Sequence, residues 1–286
     1  MPTWVTPVTP ASFEQLARLP EDDLDIALGA ALVARDAYDA LDVGALLAEL
    51  EALGGRAQDR GAEAGRPLRD RVVAVSERFT ALGFHGNTDD YYDPRNSLLP
   101  DVLARKTGIP ITLSIVWCAM ARTVGLHARG VAFPGHFLVR VDETAAGSDA
   151  PVVIDPFQGG RIVDDGAATA LLRRALGDGA ELHPSLFAPA SARATLVRLL
   201  TNLQSTYAKR GEHARAFIAV DRIVMLVPDS ARMLRERGAL ALRIGATEVA
   251  RADFTRVVEL EPHAPDIPQI EARLASMATP PRTVLH

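Results

Sequence analysis

Apolar residues fall at helical spacing through the first fifty positions: Phe13, Leu16 and Leu19, then Leu24, Ile26, Leu28, Ala31 and Leu32, then Leu41, Val43, Leu46, Leu47 and Leu50. This pattern predicts successive helices over 12–53, with breaks at Pro20 and at Gly54-Gly55. The glycine-rich, polar stretch 54–67 reads as a loop, and another helix is expected over roughly 68–82. The period then changes. RGVAF (129–133), HFLVRV (136–141) and PVVIDPF (151–157) are short, β-branched and bounded by turn residues, which predicts a small antiparallel sheet. Between the two regimes lies GIPITLSIVWCAMARTVGLHARG. Pro110 is placed to open a helix there and Gly125 to end it, and the helix is apolar on nearly every side, so it should be the buried central one.

From about 190 the helical period returns and repeats itself. Pro228 and Pro262 each close a helical segment and stand 34 residues apart, the period of a tetratricopeptide helix pair. Leu200, Leu203, Tyr207 and Ala216 then share offsets with Leu234, Arg237, Ala241 and Ala250, and Gly238, Phe254 and Val257 fall at packing positions. The expected organisation is residues 1–189 as helices plus a mixed α+β domain, and 190–286 as two all-α repeats with a tail.

Composition narrows the function. The chain has 286 residues, 48% hydrophobic and 23% charged, with a formal net charge of -5, the profile of a globular protein. No apolar run approaches the ~20 residues of a membrane span, and MPTWVTPVTP lacks the parts of a signal peptide, so a cytoplasmic protein with no membrane partner is expected. The basic residues are interspersed with acidic ones and lack an aromatic stacking platform, which argues against nucleic acid. One cysteine, Cys118, excludes an intramolecular disulfide, a multi-cysteine zinc site and a CxxC motif. No cofactor or metal is expected. TDDYYDPRNS lacks the alternation and glycine of a calcium loop and reads as a turn and cap, with Asp93 pairing Arg95 or Arg105 and Asn96 or Ser97 capping the next helix.

Candidate chemistry sits on the hairpin. If the loop 143–150 is symmetric, residue 136 lies opposite 157 and residue 138 opposite 155. His136 and Asp155 are then diagonal neighbours on one sheet face, within side-chain reach. A carboxylate on one imidazole nitrogen is the orienting half of a catalytic triad, and it is also a common structural pair. His85, His127, His183 and His213 lack ligand spacing.

The helix ending in RTVGLHARGV, the strand at FPGHFLVRV and the segment VIDPFQGG together resemble the core of the transglutaminase-like superfamily, a papain-like α+β fold whose Cys, His and Asp occur in that order. DYYDPRNSLLPDVLARKTGIPITLS, followed by FPGHFLVR, IDPFQGG and the repeats, is similar to the bacterial SirB-type branch. The resemblance implies a nucleophilic cysteine at the start of the central helix, where Pro110 stands. Cys118 is eight residues further, roughly 12 Å along the axis, and reads as a small buried hydrophobe. Ser114, one turn past Pro110, is the credible substitute nucleophile. The shared stretch also implies cleft-lining roles for Asp93, Arg95, Asn96, Pro110 and Gly135.

Two functions follow as expectations. One is a binding or regulatory module that has lost its nucleophile, with a protein or peptide partner; the other is a hydrolase or acyl transferase using Ser114 with His136 and Asp155. In the repeats, the concave offsets collect Arg198, Lys209, Arg232, Arg235 and Arg243, with Asn202 as an added donor. This predicts a basic groove for an acidic peptide or exposed C-terminus, or alternatively a surface that glues the repeats to the acidic first domain.

Overall fold

The computed structural model describes residues 10–55, 65–142 and 150–278. Most of the loop expected at 54–67 and nearly all of the hairpin loop lie outside these residues. The chain divides into a unit ending at Leu199 and a second beginning at Leu200.

In the first unit, helices α1 (Phe13–Ala17), α2 (Ile26–Arg35), α3 (Val43–Ala52) and α4 (Leu68–Ala81) follow the expected apolar periods. Asp25 and Asp42 start α2 and α3 by accepting from backbone N–H groups three residues on, at 2.9 Å in both cases. Then come β1 (His85–Gly86), α5 (Leu99–Arg105), β2 (Thr107–Gly108) and α6 (Pro110–Thr123). β1 and β2 form a two-residue parallel pair that the sequence did not announce, because so short a strand carries no period. Leu98, not Asn96 or Ser97, stands at the start of α5, and no side chain caps it.

The main sheet has the order β3 (His127–Val131), β4 (Leu138–Asp142), β5 (Val152–Asp155), β6 (Arg161–Ile162), antiparallel throughout. Val139 pairs with Ile154 and Val141 with Val152, the symmetric register expected from the loop. The strands are displaced from their expected limits: β4 begins at Leu138, and His136 belongs to the preceding turn, where its N–H donates to the Phe133 carbonyl at 3.0 Å. Alternation divides the sheet. Val139, Val141, Val152 and Ile154 join the core around α6, whose Ile111, Leu113, Trp117 and Met120 are essentially inaccessible. Val131, Leu138 and Val153 face a smaller cluster with Ala168 and Leu172 of α7 (Asp165–Leu176). Trp117 shows how this interior satisfies its polar atoms, since its indole N–H donates to Ser76 Oγ at 3.2 Å.

The second unit begins inside α8 (Ala192–Lys209) and continues with α9 (His213–Leu226), α10 (Ala231–Arg243), α11 (Thr247–Leu260) and α12 (Ile267–Ala278). Both limits of α9 recur in α11 after 34 residues. Leu203, Tyr207, Ala216, Leu234, Ala241, Ala250, Phe254 and Val257 are buried as their offsets require. Gly238 lets α10 approach α11: a Cβ there would stand 2.8 Å from the Phe254 ring. Arg237 departs from the apolar pattern. It joins three helices by bonding Asp253 of α11 through two nitrogens, at 2.9 and 2.6 Å, and Asp221 of α9 at 2.7 Å. Among the described residues no helix is long and apolar enough to cross a membrane.

Candidate functional site

A cleft of about 670 Å³ opens where the sheet end meets the start of α6 and one face of α7. Pro110, Gly135, His136 and Asp155 line it together with Tyr91, Phe157, Gln158, Arg161 and Arg174. His136 Nε2 lies 2.9 Å from Asp155 Oδ2, off the direction of a well-aligned hydrogen bond. The other carboxylate oxygen, Oδ1, accepts from the Phe157 N–H at 3.0 Å and caps a short turn of helix, Pro156–Gln158. Asp155 is thereby fixed by its own backbone, with its second oxygen close to the imidazole. With Nε2 turned to the carboxylate, Nδ1 is the nitrogen left to the cleft. The Phe157 ring stands perpendicular to the imidazole with centroids 6.0 Å apart, and Tyr91 packs edge-on to Phe157 at 6.5 Å. Burial raises the Tyr91 phenol, with Arg198 opposing that effect and Tyr92 adding to it.

Gly135 is held in the left-handed region, at φ +66°, where glycine meets no Cβ penalty. It turns the chain tightly between Phe133 and His136 and presses against Ala175 near the end of α7. That helix turns Ala167, Ala170, Leu171, Arg174 and Ala175 toward the cleft, an i, i+3, i+4, i+7, i+8 set.

Ser114 does not share this cleft. Its hydroxyl donates to the Pro110 carbonyl at 2.8 Å, and its side chain lines a separate cavity of about 370 Å³ with Ile115, Cys118 and Phe137. One turn of helix displaces it inward, and the hydroxyl is spent on the backbone. Cys118 is partly exposed at this second cavity rather than fully enclosed. Apolar burial pushes its thiol up to about 12 against the pull of Arg122.

Asp93, Arg95 and Asn96, expected as cleft-lining, do not line the cleft, and of this segment only Tyr91 does. Asp93 receives Arg95 at 2.8 Å and Arg105 at 3.3 Å. Burial works to raise its carboxyl, but the Arg95 hydrogen bonds and the two guanidinium charges outweigh it and hold the group below the usual range. Asn96, fully buried, donates to the Asp90 carbonyl at 2.7 Å and accepts from Asn87 at 3.0 Å, and its own carbonyl takes the Thr112 hydroxyl at 2.7 Å. The cluster therefore ties the Tyr91 loop to the first turn of α6. These partners come from three segments, which is why spacing alone suggested a cap.

Of the cations expected in a groove, Lys209 and Arg232 line a hollow of about 380 Å³ within the second unit, beside Gln204 and Glu236, which hydrogen-bond each other at 2.9 Å. Arg198, Asn202 and Arg243 do not line it. Arg235 is engaged inside its own unit by Glu261 at 2.6 Å and Asp266 at 2.7 Å. Among the described residues no group of three His, Cys, Asp or Glu could hold a metal ion.

The sequence reading missed Tyr91, Phe157, Gln158, Arg161 and Arg174 as cleft residues. For Arg174 a signal existed, since the spacing of Ala167, Ala170, Leu171 and Ala175 marks the α7 face on which it lies. For Arg161 the register supplies one, because it pairs with Asp155 across β5 and β6.

The transglutaminase-like superfamily matches residues 44–201, and a tetratricopeptide repeat family matches 203–275. A UPF0162 protein of Xylella fastidiosa strain 9a5c is 36% identical over 271 residues, covering 93% of this chain and 94% of that protein. A UPF0162 protein of Pseudomonas aeruginosa is 30% identical over 217 residues, covering 76% and 78%. Human F-box only protein 21 is 28% identical over 174 residues, covering 58% of this chain and 27% of its own. The bacterial relatives carry the UPF0162 designation, not the SirB label that the motifs suggested. With its His136 and Asp155 cleft and its repeated helix pairs, the chain belongs to the transglutaminase-like superfamily and groups with the UPF0162 proteins.

Proposed function

We propose that the protein is a peptide-binding module, in which the cleft of a transglutaminase-like domain holds its ligand without covalent chemistry. The observation that carries this reading is the company kept by His136 and Asp155: the helix start beside them offers Pro110, which has neither hydroxyl nor thiol. Tyr91 is the one lining residue among those described that carries a hydroxyl, and its phenol is raised, which leaves it a poor nucleophile at neutral pH. A cleft of about 670 Å³ has the size of a small-ligand or short-peptide site. The Nδ1 of the imidazole, the flanking rings of Tyr91 and Phe157, and the Gln158 amide provide directional and apolar contacts there. Tetratricopeptide repeats, which commonly mediate association between proteins, fit the same role in the second unit.

The alternative, hydrolysis or acyl transfer through Ser114, is weakened because that hydroxyl is bonded to Pro110 and faces another cavity. Fluorophosphonate labelling and a peptide-ester turnover assay test the reading. The expected result is no covalent adduct and equal background rates for the natural protein and His136→Ala. Turnover abolished by His136→Ala would overturn it.

A further inference from the structure

The charge around the cleft is unbalanced in a way that specifies a ligand. Arg161, from β6, and Arg174, from α7, reach the cleft from two different elements, and neither has a carboxylate partner among the described residues. The acidic group beside them, Asp155, is already committed: its side chain is 6% exposed, one oxygen accepts from Phe157 and the other faces His136. Most of the other cleft-facing surface is apolar, formed by Ile162, Val163, Ala170 and Leu171. On each element the cation adjoins an apolar residue. Arg161 and Ile162 both line the cleft, and Arg174 lies three residues after Leu171, a helical spacing that sets Cβ atoms roughly 5–6 Å apart. A ligand that satisfies both must present a carboxylate and an apolar group close together. A chain terminus does this, since its α-carboxylate lies two bonds from the Cβ of its own last residue. A glutamate side chain carries its charge at the end of a flexible stem, away from the neighbouring apolar groups.

We propose that Arg161 and Arg174 seat the terminal carboxylate of a polypeptide whose last side chain is apolar, with that side chain against Leu171 and the small residues of α7. Guanidinium forks suit this anion because they can meet both of its oxygens. The proposal rests on reading the cleft as a non-covalent peptide site, and the two are separable by experiment.

Three peptides suffice: acetyl-Ala-Ala-Ala-Leu with a free carboxylate, the same peptide as its C-terminal amide, and acetyl-Ala-Glu-Ala-Leu-amide, each titrated into the full chain by NMR. The free acid should bind at least ~10-fold more tightly than either amide, as expected when a charge-assisted hydrogen bond is lost. Arg161→Gln and Arg174→Gln should each bring the acid to the level of its amide while leaving the melting temperature in place, because both side chains are exposed. Acid and simple amide binding equally, both weakened by Tyr91→Ala, would overturn the carboxylate assignment and leave the cleft reading standing. Preference for the internal glutamate would overturn the terminal assignment. Binding by none of the three would overturn both readings.

Discussion

Gly135 approaches Ala175 so closely that a Cβ on the glycine would stand 2.7 Å from the Cβ of the alanine. The turn that carries His136 is thus braced against α7, and the position of the imidazole depends on the absence of a single methyl group. Gly135→Ala meets both this clash and a left-handed φ. The expected cost is about 1–3 kcal/mol for overpacking with ~1 kcal/mol more for the backbone. Urea denaturation measures the loss, and a shifted His136 ring signal by NMR reports the displaced turn.

Pro110→Cys asks whether the cleft can still activate a nucleophile. The introduced thiol would open α6 beside His136, where the helix dipole and imidazole favour a thiolate. It should react with iodoacetamide at neutral pH several-fold faster than the same thiol does in the urea-denatured variant, where the helix start and imidazole no longer act on it. A native rate no higher than the denatured one would show that the helix start does not activate a thiol.

Cys118 itself should be slow. A thiol pushed up to about 12 is ionised at pH 8 only to about one part in ten thousand, against roughly a quarter for an ordinary thiol of pKa ~8.5. Ellman's reagent should therefore modify the native protein about a thousandfold more slowly than the denatured one. Rapid native labelling would contradict the apolar surroundings assigned to it.

Asp93 makes stability sensitive to acid. Its folded pKa is lowered, so its contribution is present above the unfolded value of about 3.9 and is lost as pH falls through the lower folded value. Asp93→Asn should cost about 1.5–3 kcal/mol at pH 7, the range for hydrogen bonds to charged groups. The gap between the two proteins should close below about pH 4, followed by denaturant melts across the acid range.

Arg237→Ala leaves Asp253, whose side chain is 3% exposed, without its guanidinium, and the expected loss is about 3–5 kcal/mol. Replacing both by apolar residues, Arg237→Met with Asp253→Leu, should recover most of it, because the buried Asp253 charge is gone and Asp221, left without its guanidinium, is 27% exposed and can be solvated. Thermal melts of the single and double variants decide the point.

The contrast between these sites shows what the sequence could disclose. The register Val139 to Ile154 follows from local facts, strand period and a symmetric loop, but His136 lies in the turn before β4, where strand period does not reach. The repeat was equally readable, since Pro228 and Pro262 mark a period that the limits of α9 and α11 reproduce. Asn96 was not readable as a hub. Its partners Asn87, Asp90 and Thr112 lie on both sides of it in the chain, and the β1 and β2 pair beside them is too short to leave a pattern. The partners of Arg235 were hidden for a related reason: a helical offset shows which way a side chain leaves the helix, but not that Glu261 and Asp266 wait there.

The triad of Asp221, Arg237 and Asp253 also bears on how the repeats find their neighbours. Near-identical helix pairs invite slippage by one unit, a common hazard of repetitive chains. In this chain the position one period before Arg237 is Leu203, and the position one period before Asp253 is Ala219. A hairpin docked in the wrong place would bury Asp253 beside an aliphatic side chain, or leave Arg237 facing none. The charges thus act as a key that only the correct order of α9, α10 and α11 will turn.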